Sequence, residues 1–166
     1  GEEIQTLAEH DIPFEVVPGI TSASGAASYA GIPLTHRDYA QSVTFVTGHK
    51  KDGSIDLDWP ALTRPGQTVV VYMGLTMAAD LCQAFIAHGK APDTPAAVVE
   101  WATTQRQRTV IGTLESLPQV ISRYEVRSPA LIIVGEVVNL ADKLSWYRRV
   151  ENRAATMQVP EGQEHD

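Results

Sequence analysis

The chain has 166 residues, 20 acidic against 13 basic, and a formal net charge of −7. With 43% hydrophobic and 20% charged residues, it holds enough apolar material for a packed core and too little charge for a disordered polyelectrolyte. An acidic pI near 5.2 argues against nucleic acid or an anionic membrane as partner, and leaves anionic small molecules open to a local basic pocket.

The first residue is Gly, and Glu2, Glu3, Ile4, Leu7 and Ala8 follow with the spacing of a helix. A helix that opens without a Ser, Thr, Asp or Asn cap and with no strand ahead of it suggests a segment of a longer protein. The chain between this helix and residue 147 is expected to be α/β, and residues 148–166 a solvated tail. Phe14 to Val17 is predicted as the first strand. Pro18-Gly19 then leads to a helix of small side chains, with Thr21 as N-cap and Gly31 as terminator.

Ser42 to Thr47 is the next predicted strand, followed by a polar loop with Gly48, His49, Lys50, Lys51 and Gly53 and a helical turn at Trp59 to Leu62. Val69 to Met73 is apolar on both faces, the mark of an interior strand covered on each side. Leu75, Ala78, Ala79, Cys82, Phe85 and Ile86 draw one apolar stripe on a helix that stops at His88-Gly89. Ala96 to Trp101 and Arg108 to Leu114 are predicted strands joined by a hairpin connection at Thr103 to Gln107, Leu117 to Tyr124 is a short helix, and Ala130 to Val134 is the last buried strand. Alternating strands and amphipathic stretches give an α/β fold, a mixed sheet flanked by helices, with no internal repeat.

Metal chemistry has little footing here. No two of the five histidines share an i, i+4 spacing, and Cys82 has no cysteine partner. Cys82 lies on the apolar stripe of its helix, which suits a buried core residue rather than a nucleophile. The runs Val69 to Met73 and Ala130 to Val134 are the longest unbroken apolar ones at five residues each, far short of the roughly 20 that a membrane-spanning helix needs. With one cysteine and no secretory-type leader, the expected setting is the cytoplasm.

Pro18-Gly19-Ile20-Thr21-Ser22 joins a strand end, a glycine turn and a helix N-terminus, where free N–H groups and hydroxyls can hold a polar ligand. A plain strand-to-helix turn explains the same letters, and neither common nucleotide-binding glycine pattern is present. His36, Arg37 and Tyr39 stand within four positions on a loop, a set suited to recognising carboxylates.

In Val17-Pro18-Gly19-Ile20-Thr21, Gly31-Ile32-Pro33-Leu34-Thr35-His36-Arg37, Thr47-Gly48-His49 and Tyr72-Met73-Gly74, the chain resembles the uroporphyrinogen-III C-methyltransferase family of tetrapyrrole methylases, including the methylase part of siroheme synthases. The resemblance runs from about residue 1 to 147. It implies methyl transfer from S-adenosylmethionine, released as S-adenosylhomocysteine, to two ring carbons of uroporphyrinogen III, giving precorrin-2 for siroheme and cobalamin. It further implies a homodimer of two-lobed protomers, with the cofactor between lobes, residues 1–12 as the remnant last helix of the first lobe and residues 13–147 as the second, carboxyl-terminal α/β lobe.

By motif, the resemblance assigns Thr21, Ser22, Met73 and Ala102 to the cofactor, with Ser22 in place of a common Ala. Met73 and Ala102 also fall at carboxyl ends of predicted strands, the edge where open α/β sheets bind ligands. His36 and Arg37 are expected to meet substrate carboxylates, with pairing to Asp38 or to a dimer partner as the other role weighed. The family's glycine-rich first-strand loop, its Gly-Gly-Asp motif and its acid/base residues belong to the first lobe, so no catalytic residue is assigned here and this stretch alone is expected to be inactive. A related precorrin methylase and a non-catalytic dimerisation or interaction module are the alternative readings. A nucleic-acid methylase is disfavoured by the acidic balance.

Overall fold

The computed structural model describes residues 1–48 and 55–147; His49 and the expected tail at 148–166 lie outside them. In chain order the elements are α1 (Glu2–Glu9), α2 (Ser22–Ala30), β1 (Ser42–Thr47), α3 (Trp59–Leu62), β2 (Gln67–Tyr72), a 3-10 turn (Leu75–Met77), α4 (Ala78–Ala87), β3 (Pro95–Glu100), β4 (Arg108–Thr113), α5 (Leu117–Arg123), β5 (Ala130–Val134), a second 3-10 turn (Glu136–Leu140) and α6 (Ala141–Leu144).

The five strands form one sheet in the order β1-β2-β5-β3-β4. Only β1 and β2 are parallel, from Ser42 opposite Gln67 to Thr47 opposite Tyr72, and the remaining pairs are antiparallel. The mixed sheet expected from the hairpin at residues 103–107 is thus present. β2 and β5 are interior strands, and Val69–Val71 and Leu131–Val134 are buried, which is why both runs are apolar without alternation.

Alternation decides which core each side chain enters. Val70, Ala97, Val99, Leu131 and Ile133 pack under α2 with Ala23, Ala26 and Ala27. Val69, Val71, Ala96, Val98, Ile132 and Val134 pack on the other face with Leu81, Cys82, Phe85 and Leu117 of α4 and α5. The alanines of α2 matter because they let its backbone lie close on the sheet. Its Gly25 carries this furthest: a Cβ there would stand 3.2 Å from Thr103 Cγ2 in the β3–β4 connection.

Three expectations need correction. Phe14 to Val17 forms no strand. A strand's N–H and C=O groups need a neighbour, yet none of the five paired strands includes this segment, and Phe14, Val16, Val17 and Ile20 are exposed. The stripe from Leu75 is split into a 3-10 turn and α4 rather than one helix. β3 stops at Glu100, because Trp101 turns to a left-handed φ of 48°. The helical turns after Gly135 had no counterpart in the sequence reading; Val137, Val138, Leu140 and Ala141 bury there.

Candidate cofactor cleft

The carboxyl ends of β2 and β3, the amino end of the antiparallel β5 and the start of α2 meet around a cleft of about 640 Å³. Ser22, Tyr72, Met73, Trp101, Ala102 and Pro129 are among its lining residues. Its walls are mostly apolar, and its volume lies in the range of roughly 300–1,000 Å³ typical of small-molecule sites.

Of the residues singled out in the sequence, Ser22, Met73 and Ala102 line this one cleft. Thr21 stands at its edge. It holds the N-cap position of α2 with φ −61° and ψ 145°, but its side chain does not cap the helix. Its hydroxyl instead pairs with the phenol of Tyr72, and the same phenol oxygen accepts the Ala23 N–H at 3.1 Å. Tyr72 thereby ties the start of α2 to the end of β2. Burial pushes its phenol up, but the hydrogen bonds with Thr21, the Ala23 N–H and Ser22 outweigh that and bring it below the usual tyrosine value.

Met73 is 60% exposed and adopts a left-handed φ of 51°. Trp101 and Thr103 share that conformation at φ 48° and 66°. Three non-glycine residues in this costly region within the two loops bordering one cleft mark the kind of strain that functional sites hold. Two loop contacts hold the β3–β4 side: Trp101 N–H donates to Pro129 O at 2.9 Å, and Thr103 N–H donates to Gln107 Oε1 at 2.7 Å. Arg106 places its guanidinium 3.7 Å above the Trp101 ring.

His36 and Arg37 are not brought to this cleft. Their loop leads into the amino end of β1, where Gln41 N–H donates to Gly66 O at 2.8 Å, while Met73 follows the carboxyl end of β2. Six-residue strands separate the two ends by roughly 17 Å. His36 is half-buried, accepts the Asp38 N–H on Nδ1 at 3.1 Å and stands beside Tyr39, whereas Arg37 is exposed.

Tyr72 and Trp101 are cleft residues that the sequence reading did not single out. Tyr72 carried a signal, as the one polar-tipped side chain in an otherwise aliphatic run beside Met73. Ser128 to Leu131 carried none, since only the antiparallel direction of β5 brings its amino end to this edge. Cys82 is buried in the core, and desolvation pushes its thiol up to about 11. Among the described residues, no group of three or more His, Cys, Asp or Glu side chains is placed to hold a metal, and no helix is long and apolar enough to cross a membrane.

Comparison with known proteins gives this geometry its relatives. The chain is 77% identical over 158 residues to a siroheme synthase of Chromobacterium violaceum, covering 95% of this chain and 34% of that protein. It is 59% identical over 160 residues to the siroheme synthase of Nitrosomonas europaea, covering 96% and 34%. The chain thus spans about a third of the length of these relatives. Among solved structures, it is similar to a uroporphyrin-III C-methyl transferase from Thermus thermophilus complexed with S-adenyl homocysteine, at 37% identity and a TM-score of 0.71 over 84% of this chain and 60% of that one. A cobalt precorrin-4 methyltransferase matches at 26% identity and a TM-score of 0.73, over 82% and 58%. The family model for tetrapyrrole (corrin/porphyrin) methylases matches residues 1–118, and the chain belongs to that family.

Proposed function

We propose that this chain supplies one wall of the S-adenosylmethionine site in an enzyme that C-methylates uroporphyrinogen III to precorrin-2, toward siroheme and cobalamin. One observation carries the proposal. Ser22, Met73 and Ala102, distant in sequence, line a single open cleft with Thr21 at its edge. The cleft fits such a ligand in size and character: apolar walls for an adenine ring, and the start of α2 for polar groups.

In this reading the chain's residues bind and orient. Ser22 and Thr21 present hydroxyls at the start of α2, Met73 offers an exposed thioether and strained backbone, and Ala102 keeps the floor low. The bound cofactor supplies an electrophilic methyl on a sulfonium. Transfer to carbon requires in-line alignment and exclusion of water, so a second wall has to close over the cleft.

The same reading assigns residues 13–147 to the carboxyl-terminal lobe and α1 to the last helix of a preceding lobe. α1 buries no residue, and the exposed Val16, Val17 and Ile20 follow it. It also includes a homodimer and a cytoplasmic setting. His36 and Arg37 enter either as contacts to substrate carboxylates made from outside the cleft or as partners of Asp38 or a second protomer; His36 Nδ1 lies 3.8 Å from Asp38 Oδ2.

The intact gene product, incubated with uroporphyrinogen III and methyl-labelled S-adenosylmethionine, is expected to place two labels on each macrocycle, while residues 1–166 alone transfer none. Labelling of a later corrin precursor instead would favour the related precorrin methylase, and binding of neither ligand by the intact protein would favour an interaction module.

A further inference from the structure

β3 ends on a carboxylate that is buried beneath the cleft's rim. Glu100 is 4% exposed. Its Oε2 accepts a hydrogen bond from Arg108 Nε at 2.7 Å and forms an ion pair with Nη2 of the same guanidinium at 2.5 Å, and its Oε1 accepts the Arg127 N–H at 2.9 Å. Arg108 opens β4 directly opposite Glu100 in the register. Its remaining reach goes to two carbonyls past α5, Tyr124 O at 3.0 Å and Glu125 O at 3.4 Å.

Two stretches of chain are therefore tied to one ion pair, and a third continues directly from the second. The first is the β3–β4 connection, whose Trp101, Ala102 and Thr104 line the cleft. The second runs from Tyr124 to Arg127. The third follows it at once as Ser128 to Leu131, again part of the cleft's lining. The tie between the first and third is closed by Trp101 N–H on Pro129 O. Trp101 and Glu125 both sit at left-handed φ, 48° and 47°, and such conformations persist only where the surroundings over-determine them.

Glu100 is buried while the Arg108 side chain is 36% exposed, and such a pair is a poor device for stability alone, because desolvation of the carboxylate cancels much of the attraction. What an apolar pair cannot do is hold the end of β3, the start of β4 and the Tyr124–Arg127 backbone in fixed directions through four hydrogen bonds and an ion pair. Lysine cannot replace the guanidinium here, since its single nitrogen does not span the carboxylate and both carbonyls.

We infer that Glu100 and Arg108 are positioning residues, which hold the Trp101–Ala102 turn and the Ser128–Leu131 stretch as a preformed floor for the cofactor. This inference rests on the reading of the cleft as the S-adenosylmethionine site. Neither side chain is assigned contact with the ligand.

The test uses the intact gene product and its E100Q and R108K variants. Three quantities are read: the Kd of S-adenosylhomocysteine by calorimetry, the split between KM for S-adenosylmethionine and kcat, and the thermal midpoint. E100Q is expected to raise Kd and KM about tenfold and to change kcat less, because a floor that must first be ordered weakens binding. R108K is expected to act in the same direction. A lowered midpoint with Kd and KM within about twofold of wild type, the signature of a merely structural pair, overturns the inference. If E100Q does not fold, R108K decides by the same criterion. Wild-type protein that binds no S-adenosylhomocysteine overturns the cofactor reading itself, an outcome distinct from unchanged affinity in the variants.

Discussion

Gly48 and Gly74 meet back to back where β1 and β2 end: a Cβ on Gly48 would lie 2.6 Å from Gly74 Cα and 3.2 Å from Met73 O. The pairing is fixed by Gly48 N–H, which donates to Tyr72 O at 2.7 Å. Two glycines from separate motifs are thus one structural unit, and it sets the height of Met73 at the cleft.

Gly48→Ala is accordingly expected to push the Met73–Gly74 turn away from β1. Overpacking against backbone costs about 1–3 kcal/mol, read as a shifted denaturant midpoint. Affinity for S-adenosylhomocysteine should fall along with it. An alanine variant as stable and as tight-binding as wild type would show that the close approach is relaxed without consequence.

Tyr72→Phe keeps the ring packed and removes the oxygen shared by Thr21 and Ala23. Loss of this link should cost about 1 kcal/mol and loosen the first turn of α2. The lowered pKa of Tyr72 gives a second readout. Its linked contribution to stability is fully present above the unfolded tyrosine value and is lost as pH falls through the folded one, so near neutrality it contributes nothing. In an alkaline titration followed by phenolate absorbance, a component below the usual tyrosine value should vanish in Tyr72→Phe.

Cys82 has the opposite sign. Its thiol is raised to about 11 from an ordinary value of 9.0, so its contribution is fully present below pH 9 and declines toward pH 11. Denaturant unfolding across that window should show a stability loss that Cys82→Ala lessens. Reaction of the native thiol with a disulfide reagent at pH 8 should be slow, and rapid labelling would contradict the buried placement.

Ala102→Leu fills the cleft floor from a half-buried position. S-adenosylhomocysteine affinity is expected to drop by about tenfold or more, near 1.4 kcal/mol, with little change in unfolding midpoint. Unchanged affinity would remove Ala102 from the site.

Much of the sheet was legible because burial writes itself into composition. Val69–Val71 and Leu131–Val134 are covered on both faces and so are apolar throughout, and the hairpin between Glu100 and Arg108 was bounded by its polar Thr103 to Gln107 stretch. Gly31 ends α2 at φ 68°, the conformation a glycine terminator signals. Phe14 to Val17 misled for the same reason that the others succeeded: apolar alternation reports a surface that wants a partner, not where that partner is. Of the cleft, the turn before α2 and the strand ends at Met73 and Ala102 were legible as places where a ligand can sit, and the family resemblance singled out Thr21, Ser22, Met73 and Ala102 among them. The share of it built by Ser128 to Leu131, and the ion pair beneath it, depend on strand direction and register, which local pattern does not encode.

The most direct test is a crystal structure of the intact protein with S-adenosylhomocysteine bound. The ligand is expected against Thr21, Ser22, Met73 and Ala102, its adenosine resting on the turn that follows Glu100. Density for it at another face of the sheet, with packed side chains filling the cleft between Met73 and Ala102, would contradict the account.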